Sequence, residues 1–202
     1  MIKNKILRFT LLVVIGLAIA GSIAYLQIKS ETSPASRSVV AKNFGGPLDL
    51  VNQDGKKFTD KDFEEGQYRL IYFGFTYCPA ICPTELQRMA AILKNLKNKG
   101  DKITPYFITV DPERDTQDVM KQYTELFHPR LIGLTGTVSQ IDQAKKSYKI
   151  YAAKAQDETM SDYTMDHSSF IYFMSPSNDL LRIFKAEDEI KDMVDIIEQY
   201  IE

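Results

Sequence analysis

Hydrophobic and polar positions divide the chain into one long apolar segment near the N-terminus and a series of short strands alternating with amphipathic helices. From Phe9 to about Leu26 the chain is apolar nearly throughout, and Lys3, Lys5 and Arg8 precede that run. Its length approaches the roughly 20 residues that span a bilayer. Further on, residues 48–51 and 56–58 flank Asn52-Gln53-Asp54-Gly55, a hairpin pattern carried by the Asp-Gly step. The continuous apolar and aromatic run 69–75 suits a strand buried on both faces. A helix is predicted over 83–98, with Pro83 at its first position, Glu85 in the first turn, and Leu86, Met89, Ala90, Leu93 and Leu96 on one stripe. Lys97, Lys99 and Gly100 close it. A second buried strand covers 103–110, and Asp115 or Thr116 caps a helix carrying Val119, Met120, Tyr123 and Phe127. A short strand at 131–134, a helix at 139–148, a strand at 150–153 and a polar loop at 156–161 follow. Strands 168–174 and 180–184 are joined by the turn-forming Ser175-Pro176-Ser177-Asn178-Asp179. An amphipathic helix over 187–201 ends the chain, with Ile190, Val194, Ile197 and Ile201 inward.

The order β-α-β-α-β predicts a parallel sheet with right-handed crossovers. The whole series is that of an α/β thioredoxin-like fold with an N-terminal β-hairpin and an inserted loop before the last two strands, preceded by one transmembrane helix. Residues 1–8 then form a cytoplasmic basic flank, 9–28 an anchor or signal, 29–42 a Ser-rich tether, and 43–202 the folded domain. Ala18-Ile19-Ala20 before Gly21 fits a signal cleavage site, but Ile23, Ala24, Tyr25 and Leu26 extend the run beyond a typical signal core and favour a retained anchor. The short basic flank leaves no room for an Arg-rich organellar transit peptide. The expected location is a bacterial inner membrane, crossed once, with the domain in the periplasm.

Composition agrees with one domain plus an appendage: 202 residues, 44% hydrophobic and 26% charged. Setting aside Lys3, Lys5, Arg8 and Lys29 leaves 21 basic residues of the 25, against all 27 acidic ones, a net charge of −6. Such a domain has no nucleic-acid partner. The chain has two cysteines, too few for a disulfide scaffold. In an oxidising compartment such a pair is a disulfide, a redox couple, or a metal site protected by reductants.

Cys78 and Cys82 stand in C-P-A-I-C directly after the predicted strand 69–75. If this segment opens a helix, the spacing puts both sulfurs on one face near its N-terminus, where unpaired N–H groups and the helix dipole stabilise thiolates. Copper(I) is soft and accepts few ligands, so two thiolates and one imidazole suffice for it, whereas structural zinc takes four protein ligands. His167 precedes the predicted strand 168–174, at a junction that faces the cysteine loop in a thioredoxin-like sheet. Oxidoreductases of that fold usually keep a cis-proline there, and here the chain reads Asp166-His167-Ser168. This leans toward metal binding, as does the C-x-x-x-C spacing in place of C-x-x-C. A purely redox pair and a structural disulfide stay open. His128, in Phe127-His128-Pro129, reads as a loop residue, and Met160 and Met165 are left out of the site.

Four separated motifs, F-G-F-T-Y-C-P-A-I-C-P-T, T-V-D-P-E-R-D-T, L-I-G-L-T-G and Y-T-M-D-H-S-S-F-I-Y, occur in that order. With them, the stretch from about residue 44 to 197 resembles the Sco/SenC family of copper chaperones. The resemblance implies a membrane-anchored protein that takes copper, as Cu(I) or Cu(II), from an upstream donor. It would deliver one ion per chain to the copper-bearing subunit of cytochrome c oxidase during assembly, or act as a thiol-disulfide oxidoreductase on that subunit's cysteines. The family's ligands fall on Cys78, Cys82 and His167. Asp111 and Asp115, with Asp166 beside His167, are implied to support the ligands or touch the partner.

Overall fold

The computed structural model describes residues 15–23, 41, 44–156 and 162–201. The chain divides into two units, Met1–Ser38 and Val39–Glu202. Within the first, residues 15–23 are helical, with Ile15, Leu17, Ile19 and Ile23 exposed. Most of the predicted anchor and nearly all of the tether lie outside the described residues. Among the described residues no helix is long and apolar enough to cross a membrane.

The second unit is built on a seven-stranded sheet. Its strands are β1 (Asp49–Asn52), β2 (Lys57–Thr59), β3 (Tyr68–Gly74), β4 (Ile103–Thr109), β5 (Ile132–Thr135), β8 (Ile171–Met174) and β9 (Leu180–Phe184), in the order β2-β1-β5-β4-β3-β8-β9. The neighbours β5, β4 and β3 are parallel, as the β-α-β-α-β order predicts, and the flanking pairs are antiparallel. Leu70, Ile71, Tyr72 and Phe73 of β3 are fully buried, the outcome expected for an uninterrupted apolar strand with neighbours on both sides. The Asp-Gly turn forms as predicted: Gly55 has φ +77°, and the Asn52 carboxamide oxygen accepts from the Asp54 and Lys56 N–H groups.

Four helices connect and cover the sheet: α1 (Ile81–Leu96), α2 (Gln117–Glu125), α3 (Val138–Ser147) and α4 (Ile190–Glu198). Helix α1 packs on α4 and on β3 and β4, α2 on β5, and α3 on β1. Leu86, Met89 and Leu93 face the core as the 3.6-residue period requires, joined by Ile92. Glu85 is buried in an ion pair with Arg88, whose guanidinium also donates to the Lys185 and Asp188 carbonyls ahead of α4. In α4, Ile197 points inward with Met193 and Ile196, and Ile201 beyond it is buried, while Ile190 and Val194 are half-buried.

The sequence-based expectation differs most at the inserted loop. The strand expected at 150–153 forms at β6 (Ala152–Ala155) and does not join the sheet. It pairs with a strand that was not expected, β7 (Thr164–His167), in a separate two-stranded hairpin with Ala152 opposite His167. Neither strand carries a run of β-branched residues, and period-2 alternation is short in both, so the sequence signal for them is weak. His167 therefore ends β7, with residues 168–170 leading into β8.

Candidate metal centre

Strand register brings the site together. Parallel pairing sets Gly74 beside Thr109, so the loops after β3 and β4, which carry the cysteines and Asp111 with Asp115, leave the sheet side by side. Antiparallel pairing sets Tyr72 beside Ile171, so the residues that lead into β8 come up against the same end of β3. Sites in sheets of this kind form at the carboxyl ends of parallel strands.

Helix α1 starts at Ile81, two residues earlier than predicted, and Ala80 at its N-cap supplies no side-chain acceptor. The Cys82 N–H donates instead to Cys78 Sγ at 3.3 Å, and Pro83 has no N–H to satisfy. The sulfur does the work of a capping oxygen. The two cysteines are consequently not on one helix: Cys78 is half-buried in the preceding loop, and Cys82 lies in the first turn with no exposed surface. No disulfide joins them.

Cys82 Sγ stands 3.5 Å from His167 Nε2, and His167 Nδ1 stands 3.0 Å from the Ser168 carbonyl. A carbonyl only accepts, so Nδ1 carries the ring hydrogen and Nε2 turns a lone pair toward the sulfur. Hydrogen bonding from Cys82 lowers the Cys78 thiol to about 4, with the Cys82 and Ala80 N–H groups adding to it and desolvation opposing. The same hydrogen bond to a neighbouring anion, then burial, pushes Cys82 far above the usual thiol range. At neutral pH the pair holds one thiolate, on the more exposed Cys78, and one thiol. Two soft sulfurs and an imidazole lone pair suit a soft metal ion. Among the described residues no three His, Cys, Asp or Glu side chains form a ready-made metal cage, while the 3.5 Å separation of Cys82 Sγ and His167 Nε2 already matches that of two ligands on one ion.

Aromatic side chains hold the imidazole on two sides. Tyr72 and Phe75 meet the His167 ring edge-to-face at centroid distances of 6.2 and 5.7 Å, and the Tyr72 hydroxyl bonds Ser169 Oγ at 2.9 Å. Gly74 lets Cys82 sit this close to the sheet: a Cβ there would lie 2.8 Å from a Tyr72 ring atom, 2.9 Å from Cys82 Sγ and 3.0 Å from a Phe107 ring atom. Gly74→Ala is expected to destabilise the domain by roughly 1–3 kcal/mol through overpacking, seen as a lower urea midpoint. An unchanged midpoint would mean that these groups yield freely.

Asp111 and Asp115 are both buried. Asp115 does not cap α2; the Thr116 hydroxyl does. Asp115 instead accepts from the Thr76 N–H and hydroxyl and from the Thr109 hydroxyl, which pins the start of the cysteine loop to the end of β4. Burial raises its pKa against those three hydrogen bonds. Asp111 pairs with Arg114 and accepts from the Tyr163 hydroxyl at 2.9 Å. Asp166 is exposed, and strand alternation turns it away from the face that carries Met165 and His167. Met165 packs in the core, Met160 lies outside the described residues, and His128 Nδ1 accepts the Arg130 N–H in its loop. Sequence reasoning missed Tyr72, Gly74, Phe75, Arg114 and Tyr163. They support the site through tertiary contacts, and each is individually an ordinary strand or loop residue; their common signal is that Gly74, Phe75, Arg114 and Tyr163 lie inside the quoted motifs and Tyr72 directly before the first.

The family model described as SCO1/SenC matches residues 36–202, and the chain belongs to that family. It is 42% identical over 152 residues to "Protein SCO1 homolog 1, mitochondrial" of Arabidopsis thaliana, covering 75% of this chain and 45% of that protein, so the chain spans about half the length of this relative. The crystal structure of Arabidopsis thaliana ScoI with copper bound is similar, with 41% identity and a TM-score of 0.72, covering 78% of this chain and 99% of that one. BsSco, described with a disulfide switch and as a member of the Sco family of cytochrome c oxidase assembly proteins, is 25% identical with a TM-score of 0.60, over 78% of this chain and 93% of its own.

Proposed function

We propose that this chain is a copper chaperone whose cargo is one copper ion held by Cys78 Sγ, Cys82 Sγ and His167 Nε2. It delivers the ion to the copper-bearing subunit of cytochrome c oxidase during assembly, after receiving it from an upstream donor protein. The observation that carries this is the 3.5 Å approach of Cys82 Sγ to an imidazole nitrogen whose lone pair is free, beside the Cys78 thiolate. The copper-bound Sco structure and the oxidase-assembly role stated for BsSco support it. Cys78 is half-buried and the neighbouring Tyr77 and Ile81 are exposed, so a partner's ligand can reach the ion and replace the donors one at a time. We further propose that residues 9–28 anchor the chain in a bacterial inner membrane, with residues 29–42 as tether and the domain in the periplasm. The basic flank before the apolar run supports that orientation.

One observation favours a second function on the same atoms. A low-pKa, half-buried thiolate beside a fully buried thiol is the equipment of a disulfide reductase. Cys78 would attack a partner disulfide and expel one partner thiolate. Cys82, on losing its proton, would then attack Cys78 Sγ and release the second, so that two electrons pass to the partner as a Cys78–Cys82 disulfide forms. His167→Ala separates the two functions. For a chaperone, copper(I) affinity, measured by competition with a chromogenic chelator, falls roughly tenfold or more, which is at least about 1.4 kcal/mol, while reduction of a model disulfide continues. Wild-type copper affinity in this variant would remove the three-donor site.

A further inference from the structure

We infer that Arg114 is the positioning residue that holds His167 against the cysteines, an inference that rests on the copper site proposed above. His167 ends a hairpin that shares no strand with the main sheet, so the hairpin's place depends on side-chain anchors. Met165 packs in the core, and the polar anchors converge on one guanidinium. Arg114 Nε donates to Asp111, Nη1 donates to the Tyr163 carbonyl at 2.7 Å, and the Tyr163 ring lies 3.7 Å from the guanidinium carbon. The Tyr163 hydroxyl returns to Asp111 at 2.9 Å, which closes a ring of contacts between the loop after β4 and the residue that enters β7. By contrast, the ion pair of Lys154 with Glu113 is half-exposed at both ends and contributes little.

The same guanidinium also faces the cysteine loop. Its carbon lies 4.9 Å from the Tyr77 ring centroid and 5.9 Å from that of Phe75, and Phe75 is the ring that meets His167 edge-to-face. Nη2 is buried with no hydrogen-bond partner among the described residues, so aromatic faces are what it meets. A planar cation that stacks and donates in two directions suits this place, whereas a lysine ammonium can keep the Asp111 pair but neither the stacking nor the forked contact. Arg114 thereby couples the two halves of the donor set: the loop that carries Cys78 and the strand that carries His167. It touches no donor atom itself.

The test is a double-mutant cycle on the full chain. Copper(I) affinity is measured for the wild type, Arg114→Ala, His167→Ala and the double variant, and amide hydrogen exchange of residues 164–167 is followed in the metal-free protein. Arg114→Ala is expected to lower affinity about 10–100-fold, as loss of a group that orients a ligand does, and to add nothing in the His167→Ala background. Exchange in β7 should quicken in metal-free Arg114→Ala while β3 and β4 keep their protection. Arg114→Lys should fall between, and with Tyr163→Leu it serves the same cycle if the alanine variant does not fold. Wild-type affinity for Arg114→Ala, or an equal loss in both backgrounds, overturns the inference and leaves the copper site standing. Wild-type affinity for His167→Ala overturns the copper site itself.

Discussion

Cys78→Ser and Cys82→Ser are each expected to lower copper(I) affinity by roughly a thousandfold, about 4 kcal/mol, with the domain still folded. A serine hydroxyl keeps its proton at neutral pH and is a hard donor, so each substitution removes both a negative charge and a soft ligand. The fold should survive for a different reason at each position. At Cys78 the sulfur accepts the Cys82 N–H at the start of α1, and a serine oxygen is a preferred acceptor for that duty. At Cys82 the buried hydroxyl finds the His167 ring nitrogen, 3.5 Å from the present sulfur, so it is not left unsatisfied. Chelator competition reads the affinity, and circular dichroism checks the fold. Retention of wild-type affinity by either folded variant would take that sulfur out of the site. Because the two sulfurs act on one ion, the double variant should lose little beyond the single ones.

Copper affinity should rise about tenfold per pH unit between pH 7 and 8, and copper binding should release close to one proton in this range. Metal ligation needs both sulfurs as thiolates. Cys78, at about 4, has already lost its proton, whereas Cys82 sits far above the usual thiol range and must lose its proton to the metal. The sign follows directly: protons compete with copper at Cys82 alone, so affinity falls as pH falls, with unit slope. Two ordinary thiols near 8.5 would give roughly sixtyfold over the same interval, since both would have to ionise. Calorimetry in two buffers of different ionisation enthalpy counts the protons, and a release near two would show that Cys78 is not the standing thiolate.

Much of the scaffold is readable along the chain because local signals and tertiary demands agree. The apolar run from Leu70 to Phe73 can only be a strand covered on both faces, and Asp54-Gly55 supplies the positive φ that its hairpin needs. The approach of His167 to Cys82 follows from element order, since a strand antiparallel to β3 must begin where β3 ends. What sequence conceals is chemistry that substitutes for the usual signals. Helix α1 begins early because a cysteine sulfur takes the place of Ser, Thr, Asp or Asn as the acceptor, and that escapes a search for capping residues. Asp115 looks like a cap and is a buried brace, because Thr116 satisfies the helix and leaves the carboxylate for Thr76 and Thr109. The β6–β7 hairpin owes its place to a cation lodged between aromatic rings and a carboxylate far apart in sequence, and neither hydrophobic period nor turn chemistry encodes such a contact.

Sulfur and nitrogen neighbours scatter the photoelectron ejected from a bound copper ion differently enough to be counted, so X-ray absorption at the copper edge of the loaded protein addresses the coordination directly. Ligation by Cys78, Cys82 and His167 predicts two sulfurs and one imidazole nitrogen around each ion in the wild type, and two sulfurs with no imidazole in His167→Ala. A wild-type first shell with fewer than two sulfurs, or an imidazole signal that persists in His167→Ala, would contradict it.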